Sequence, residues 1–560
     1  MATRREVLKG LGAAGAGLAL GGCGDRSDPA VLPLPSLPDP IATHPVFTHS
    51  VTSGDPLPDR VVLWTRAVPP PEETRAVTLQ WQAARDEAFT QIVAEGSGRT
   101  DAARDYTFKV DVPLPAPDTV YFYRFSSQGQ TSPTGRTHTA PNTLDATLRV
   151  VATTCTNPEV SELNTLRVLA ELPPLHAVLH LGDYIYEFGS NQSYAPVHEC
   201  ATLADYRLRY GSFRAYAPNA EAHRLHPWVI IYDDGDISNA AASAEGAAGF
   251  HDPTTEGSWE DRKRAATQAF EEWTPCRIER RYADGKPVIY RRLHWGPLAD
   301  VLMLDTRLDG RDPIMGDAIV SYDQTALDDD NRRIMSATQM DWLTGHLANS
   351  QAVWKLVGNQ AMLGHWLSAS TPQATAAINQ FLGVREQGNL LYSDTSWNGY
   401  TADRKRLYAQ LKAADVRNLL VVSGDAHLTF AMDLPEDPLD VTAYDPVTGR
   451  GSLGVDFSVP SVNSETFVEQ FGYPPRTGSL AVEAASRAAN PHHAYTELDS
   501  KGYLLLTISQ HNTYAEFWMM DDVTSANTLQ TLGAAFNCAA GSNHLTLASL
   551  NPLAGGGSSA

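Results

Sequence analysis

The sequence predicts an α/β domain over residues 146–535, preceded by a small β-sandwich over 44–141. Three observations carry this expectation. The chain has 560 residues, more than one hydrophobic core usually serves, so two domains are expected. Residues 44–141 read as short strands with turn signals and no strong helical period. After residue 145 the texture changes, and apolar runs alternate with amphipathic stretches of helical spacing.

In the first part, Val61–Thr65, Val77–Trp81 and Val120–Phe125 have strand composition and length. In the second, apolar runs fall at 148–153, 177–181, 228–232, 300–304, 354–357 and 418–422. Helical patterns fall at 160–172, 261–273, 338–348 and 402–413. The runs are continuously apolar, which predicts a sheet covered on both faces. The Ala- and Gly-rich stretch 240–258 reads as a loop, and 536–560 as a C-terminal tail ending in a disordered Gly555–Ala560. No internal repeat is present.

The first residues read as an address. Thr3-Arg4-Arg5 precedes a short apolar, Gly/Ala-rich run, as in a twin-arginine export signal. Leu20-Gly21-Gly22-Cys23 then resembles a lipoprotein box, so 1–23 is expected to be removed or lipidated at Cys23. Residues 24–43, rich in Pro and Asp, form a flexible tether. This predicts a periplasmic or cell-surface protein that meets the membrane only through a lipid anchor. The net charge of −22 opposes nucleic-acid binding. The five cysteines show no zinc-finger spacing, and a Cys200–Cys276 disulfide stays open.

Each major apolar run ends in residues that can bind metal. The run 148–154 leads into Cys155, and 179–181 into Gly182-Asp183-Tyr184-Ile185-Tyr186-Glu187. The run 228–232 leads into Asp233-Asp234, 354–357 into Gly358-Asn359-Gln360, and 419–422 into Ser423-Gly424-Asp425-Ala426-His427. Ligands of open α/β sheets bind outside the carboxyl ends of strands. Clustered carboxylates are costly unless cations neutralise them, so a metal cluster is the economical expectation. There is no serine elbow and no Walker phosphate loop, which argues against acyl-enzyme and nucleoside triphosphate chemistry.

The ordered segments Ser53-Gly54-Asp55-Pro56, Leu63-Trp64-Thr65-Arg66, Gly182 to Glu187, Leu304-Asp305-Thr306-Arg307, Trp354-Lys355 with Gly358-Asn359-Gln360, and Gly424 to His427 resemble the PhoD-like branch of the calcineurin-type metallophosphatases. The resemblance implies an immunoglobulin/fibronectin-III-like β-sandwich before a four-layer αββα metallophosphatase domain. It implies a phosphoester substrate and the metals Fe3+ and Ca2+. Carried over, Cys155 and Tyr186 are iron ligands and Asp183 bridges metals. Asp233, Asp234, Asn359, Asp425 and His427 complete the metal set. Thiolate and phenolate suit ferric iron, whereas carboxylates and amides suit calcium. Metal-activated water would be the nucleophile.

One departure stands beside this site. The family pattern after the third strand is Asp-Asp-His-Glu, and this chain reads Asp233-Asp234-Gly235-Asp236. Gly235 has no side chain with which to protonate a leaving group, a role worth ~10²–10⁴-fold in rate. Asn239 keeps an expected asparagine, but its usual polar neighbour is Ala240. The candidate catalytic residues are therefore Asp234, Asp236 and His251, with His226 a further substitute acid. Three readings stand: an enzyme that uses good leaving groups or a replacement acid, a weak or inactive phosphoester-binding lipoprotein, and a site turned to other chemistry. An anchored binding or adhesion protein built on the sandwich is the alternative from another class.

Overall fold

The computed structural model describes residues 44–548, apart from 191, 239–242, 248–250, 315–328, 368–395, 467–468, 470–475 and 478. The export signal, Cys23, the tether, Asn239, Ala240 and Gly555–Ala560 lie outside the described residues. Three sheets organise the rest. The first has ten strands in the order β22 (Leu545–Leu547), β21 (Gln530–Ala539), β20 (Asn512–Met520), β19 (Gly502–Ile508), β9 (Leu148–Thr153), β10 (Ala177–His180), β11 (Pro227–Ile230), β1 (Val51–Leu57), β2 (Arg60–Arg66) and β5 (Thr107–Pro113). The second has seven: β12 (Arg291–Trp295), β13 (Ala299–Met303), β14 (Trp354–Asn359), β15 (Leu419–Ser423), β17 (Ser452–Ser458), β16 (Thr429–Pro435) and β18 (His493–Glu497). The third joins β4 (Ile92–Thr100), β3 (Val77–Ala84), β6 (Val120–Ser127) and β7 (Gln130–Thr131), with β8 (Gly135–His138) beside β6.

The centre of each large sheet is parallel. β9, β10 and β11 run together in the first, and β13, β14, β15 and β17 in the second. Successive side chains of a strand point to opposite faces. In the second sheet Val301, Leu356, Leu420 and Val422 join the large core shared with Val150, Val178 and Leu179 of the first sheet. Their neighbours Leu302, Val357, Leu419 and Val421 face the other way. There they pack with Leu343 and Leu347 of the helix Ala337–Asn349 and with Leu407 and Leu411 of the helix Thr401–Ala413. Two sheets thus face each other, and helices cover the far side of the second. Each buried Val, Leu or Ile is worth about 1.5–3 kcal/mol, so this two-sided burial fixes the register of the strands.

The N-terminal segment departs from an independent sandwich. β1, β2 and β5 belong to the ten-stranded sheet, because β1 pairs in parallel with β11 at Ser53–Pro227 and Gly54–Trp228. A side chain at Gly54 would meet the Trp228 carbonyl at 2.4 Å, so only glycine admits this approach. The third sheet closes over these strands, and Val51, Val61, Leu63 and Val112 share a core with Leu79, Tyr121 and Phe125. The segments with family-like motifs weld the two parts together. Asp55 receives both Nε (2.8 Å) and Nη2 (2.7 Å) of the buried Arg291. Trp64 donates to the Glu272 carbonyl at 2.8 Å, and Trp295 to that of Pro56 at 2.8 Å. The expected tail also needs correction: residues 536–547 complete β21 and form β22, because Phe536, Cys538 and Leu545 are buried on the sheet. Cys200 and Cys276 are both free. No helix among the described residues is long and apolar enough to cross a membrane.

Candidate metal centre

Parallel strands bring their carboxyl ends to one edge, and the expected ligands follow those ends. Cys155 stands two residues past β9, Asp183 three past β10, Asp233 three past β11, and Asp425 two past β15. The loops are tied to one another: Cys155 N–H donates to the Gly182 carbonyl at 3.1 Å, and Thr156 N–H to that of Asp183 at 2.8 Å. Cys155, Asp183, Asp425 and His427 all adopt left-handed backbone, with φ of 55°, 51°, 67° and 54°. Such conformations cost of order 1–3 kcal/mol each for non-glycine residues and cluster at functional sites. Here they turn the chain sharply past the strand ends and aim these side chains at one another.

The result is two ligand groups joined at one residue. One ligand atom from each of Cys155, Asp183 and His427 lies within 4.8 Å of the others, and the same holds for Asp183, Asp233, Asp234 and Asp425. Cys155 Sγ is 3.4 Å from Asp183 Oδ2. Tyr186 Oη lies 3.1 Å from His427 Nε2 and 3.0 Å from Ser464 Oγ, so the phenol adjoins the first group. The two groups differ chemically. The first offers thiol, imidazole and phenol, and the second offers carboxylates alone.

Electrostatics make this arrangement costly without cations. Burial, then the neighbouring Asp233 and Asp234, raises Asp183 well above the usual carboxylate range. Burial also raises Asp234, with Asp425 adding to it. Asp233 is raised chiefly by burial although Arg307 opposes the shift. Burial pushes the Cys155 thiol and the Tyr186 phenol upward, and Asp183 pushes both further. Burial lowers His427 to about 4, which keeps its imidazole neutral and able to ligate. Arg307 supplies a buried positive charge, donating to Asp233 through Nε and forming an ion pair with Asp425, Nη2 lying 3.1 Å from the carboxylate. Arg311 adds a second positive charge felt by Asp234, against four carboxylates, and the buried Oδ2 of Asp233 has no hydrogen-bond partner among the described residues. The donor set therefore fits bound metal.

The structure does not bring every expected residue to the cluster. Asn359 turns its amide back onto Ala361 of its own loop. Asp236 accepts from the amides of Asp233 (2.9 Å), Tyr184 (3.2 Å) and Ile185 (3.0 Å), so it shapes the loop that holds the ligands. His251 stands 3.3 Å from Glu256 and beside the Trp259 ring. Both ring nitrogens of His226 bond backbone, at Leu175 and Leu169. Gly235 contributes its N–H, 3.0 Å from Asp183 Oδ1 and 3.0 Å from Asp234 Oδ1. Its φ is not left-handed; the close contact is a missing Cβ, which would lie 2.6 Å from Asp183 Oδ1. Arg207 is a bidentate partner of Glu272, and the turn Trp397–Gly399 is buried in the core. Sequence reasoning missed Ser464 and the Glu465 carbonyl, which fixes His427 through Nδ1. Arg307, the last residue of the Leu304-Asp305-Thr306-Arg307 segment, pairs with the cluster itself through Asp233 and Asp425.

A family model described as PhoD-like phosphatase matches residues 150–517, and that of the PhoD-like phosphatase N-terminal domain matches 35–141. The chain belongs to the PhoD-like phosphatase family. It is 28% identical over 553 residues to alkaline phosphatase D of Bacillus subtilis (strain 168), covering 95% of this chain and 87% of that protein. A solved structure of PhoD superposes with a TM-score of 0.77 at 28% identity, covering 92% of this chain and 95% of that one. The chain is accordingly a phosphoester hydrolase of a metal-dependent family, and the two ligand groups are its candidate metal-binding centre.

Proposed function

We propose that this PhoD-like phosphatase is an exported, lipid-anchored hydrolase whose centre holds iron and calcium. Iron occupies the group of Cys155, Tyr186, His427 and Asp183, and calcium the group of Asp183, Asp233, Asp234 and Asp425. The observation that carries this reading is that Asp183 belongs to both groups, one offering thiol, phenol and imidazole, the other all-carboxylate. When bound, the metals supply Lewis-acid polarisation of the phosphoryl group and an activated water. The protein supplies the rest. Asp183 spans the two pockets. The Gly235 N–H and Arg307 hold Asp183, Asp233 and Asp425 in place, and Glu465 fixes the tautomer of His427. The family's layered αββα domain and β-sandwich are the proposed architecture, with the sandwich's second sheet lent by β1, β2 and β5.

The structure favours a particular substrate preference. Gly235 carries no acid, Asp236 accepts from backbone amides, both ring nitrogens of His226 bond backbone, and His251 stands beside Glu256, outside both ligand groups. A nitrophenolate leaves without a proton, whereas an alkoxide needs one in the transition state. Hydrolysis of aryl esters ahead of matched alkyl esters by ~10²-fold or more is expected. A panel of aryl and alkyl phosphomonoesters and phosphodiesters on the metallated protein tests this. Equal rates on the two leaving-group classes would show that another residue delivers the proton. No hydrolysis of either class would favour the phosphoester-binding lipoprotein. Export rests on Arg4, Arg5 and Cys23, and mass spectrometry of the mature N-terminus tests it, an intact Met1 in native cells being the contrary result.

A further inference from the structure

A second polar cavity lies on another part of the molecule. Its volume is about 310 Å³, within the range of small-molecule sites, and no residue of the metal centre lines it. The edge strand β12 contributes Arg291, Arg292 and His294, the segment before it Arg277, Glu279, Arg280 and Tyr290, and the helix Ala337–Asn349 Trp342 and His346. Four arginines and one glutamate line one cavity in a chain of net charge −22.

The arginines divide into two kinds. Arg277 and Arg291 are spent on structure: Arg277 forks onto Asp111 at 2.9 and 3.0 Å, and Arg291 onto Asp55. Arg292 pairs with Asp300 through both Nε and Nη2 at 2.8 Å and meets His294 through Nη2, which leaves Nη1 alone without a partner among the described residues. Arg280 has no carboxylate partner among them. Its one hydrogen bond runs from Nη2 to the Tyr290 carbonyl at 2.8 Å. Its guanidinium lies over the Tyr290 ring at 4.4 Å and within 5.9 Å of the Trp342 ring, a placement that orients the fork while leaving Nε and Nη1 open. His346 packs edge-on against Trp342 at 5.1 Å and has no hydrogen bond to a described residue. It reports the local field: burial lowers its pKa, and Arg292 and Arg280 lower it against the pull of Asp300. Trp342 and Tyr290 meet edge to face at 5.0 Å and form an aromatic wall beside these donors.

We propose that this cavity is a binding site, separate from the metal centre, for an oxyanion carried on an aromatic ring. Arg280, Arg292 and His346 receive the anion, and Trp342 and Tyr290 receive the ring. Planar guanidinium forks match phosphate and carboxylate oxygens, and charge-assisted bonds of this kind are the strong ones. The shared chemistry is the ring-borne oxyanion, whether phosphate-like or carboxylate.

Calorimetric titration of the full-length, metal-loaded protein with phenylphosphonate, which has no phosphoester bond to hydrolyse, tests the assignment. Benzoate and inorganic phosphate are the companion probes. Two classes of phenylphosphonate site are expected, one at the metal centre and one here. In Arg280→Ala/Arg292→Ala the second class weakens by roughly tenfold or more, while turnover of an aryl phosphate is unchanged. Both residues are exposed, but Arg292 also pairs with the buried Asp300, so Arg280→Ala alone is the companion variant: it should keep the melting temperature and still weaken the second class of site. In Trp342→Phe the affinity for phenylphosphonate drops more than that for inorganic phosphate. Binding of benzoate at the same place identifies a general ring-borne oxyanion site; its absence identifies a phosphate-type one, and both support the proposal. A single class of site, indifferent to the double variant, overturns it. So does inorganic phosphate binding as tightly as phenylphosphonate here, because the ring would then contribute nothing.

Discussion

Replacing Gly235 with alanine tests how tightly the centre is built. The added Cβ would sit 2.6 Å from Asp183 Oδ1 and 3.0 Å from Tyr186 Cδ1, where ordinary contact begins at 3.4 Å. The Asp183 carboxylate must therefore retreat by about 0.8 Å, and the same movement stretches its 3.0 Å bond from the Gly235 amide. Asp183 is the residue common to both ligand groups, so the shift reaches both at once. Misplacement of a reacting constellation by ~1 Å costs up to ~10²-fold in rate, and overpacking of this kind costs ~1–3 kcal/mol in stability. Gly235→Ala should lose ~10- to 100-fold in aryl phosphate turnover, with reduced metal content by elemental analysis and a lower melting temperature. Gly235→His should do the same or worse, rather than restore a general acid. A variant with full rate and full metal content would refute this reasoning, because it would show that the loop has room for a side chain.

Three further outcomes follow from the same geometry. Arg307→Met removes the partner of Asp233 and Asp425; breaking a buried pair costs ~3–5 kcal/mol, so denaturant melts of metal-free protein should show a large loss that added calcium partly restores. Asp55→Asn strands the buried Arg291 and should destabilise by a similar ~3–5 kcal/mol while leaving metal stoichiometry unchanged, since Asp55 joins β1 to β12 and not the metal centre. Burial holds His138 and His493 at about 4 and His180 and His226 at about 3. Below the ordinary value near 6.5 the unfolded chain takes protons that the fold refuses, so stability should fall as pH drops from about 6.5 toward 4. Each such histidine contributes about 1.4 kcal/mol per pH unit in that window. Urea melts at pH 7, 6 and 5 check this, and a flat profile would contradict it.

The legible parts of the fold were those whose sequence signal is local. The apolar runs at 148–153, 300–304 and 418–422 became β9, β13 and β15 within a residue or so, because strands buried on both faces carry few polar positions. The helix Leu203–Arg214 was not legible. Its buried face carries Tyr206, Arg209, Tyr210 and Arg214, and Arg209 is buried because backbone carbonyls such as Ala195 receive its guanidinium. A pattern reading assigns such arginines to solvent. The union of β1 with β11 was invisible for another reason: it joins residues about 170 apart, and only the contact at Gly54 marks it. At the metal centre, Cys155, Asp183, Tyr186, Asp233, Asp234, Asp425 and His427 converge as their strand-end positions suggested. Asn359 and Asp236 have the same kind of position but serve backbone amides and carbonyls. A short polar side chain past a strand end can ligate a metal or close its own loop, and sequence does not separate the two.

Metal content after single substitutions tests the central claim most directly, that one carboxylate joins two chemically different pockets. Cys155→Ser and Tyr186→Phe should lose iron, along with the visible band of a ferric phenolate, yet keep calcium. Asp234→Asn should lose calcium and keep iron, and Asp183→Asn should lose both. Iron and calcium that disappear together in Cys155→Ser, or both persist in Asp183→Asn, would contradict the account.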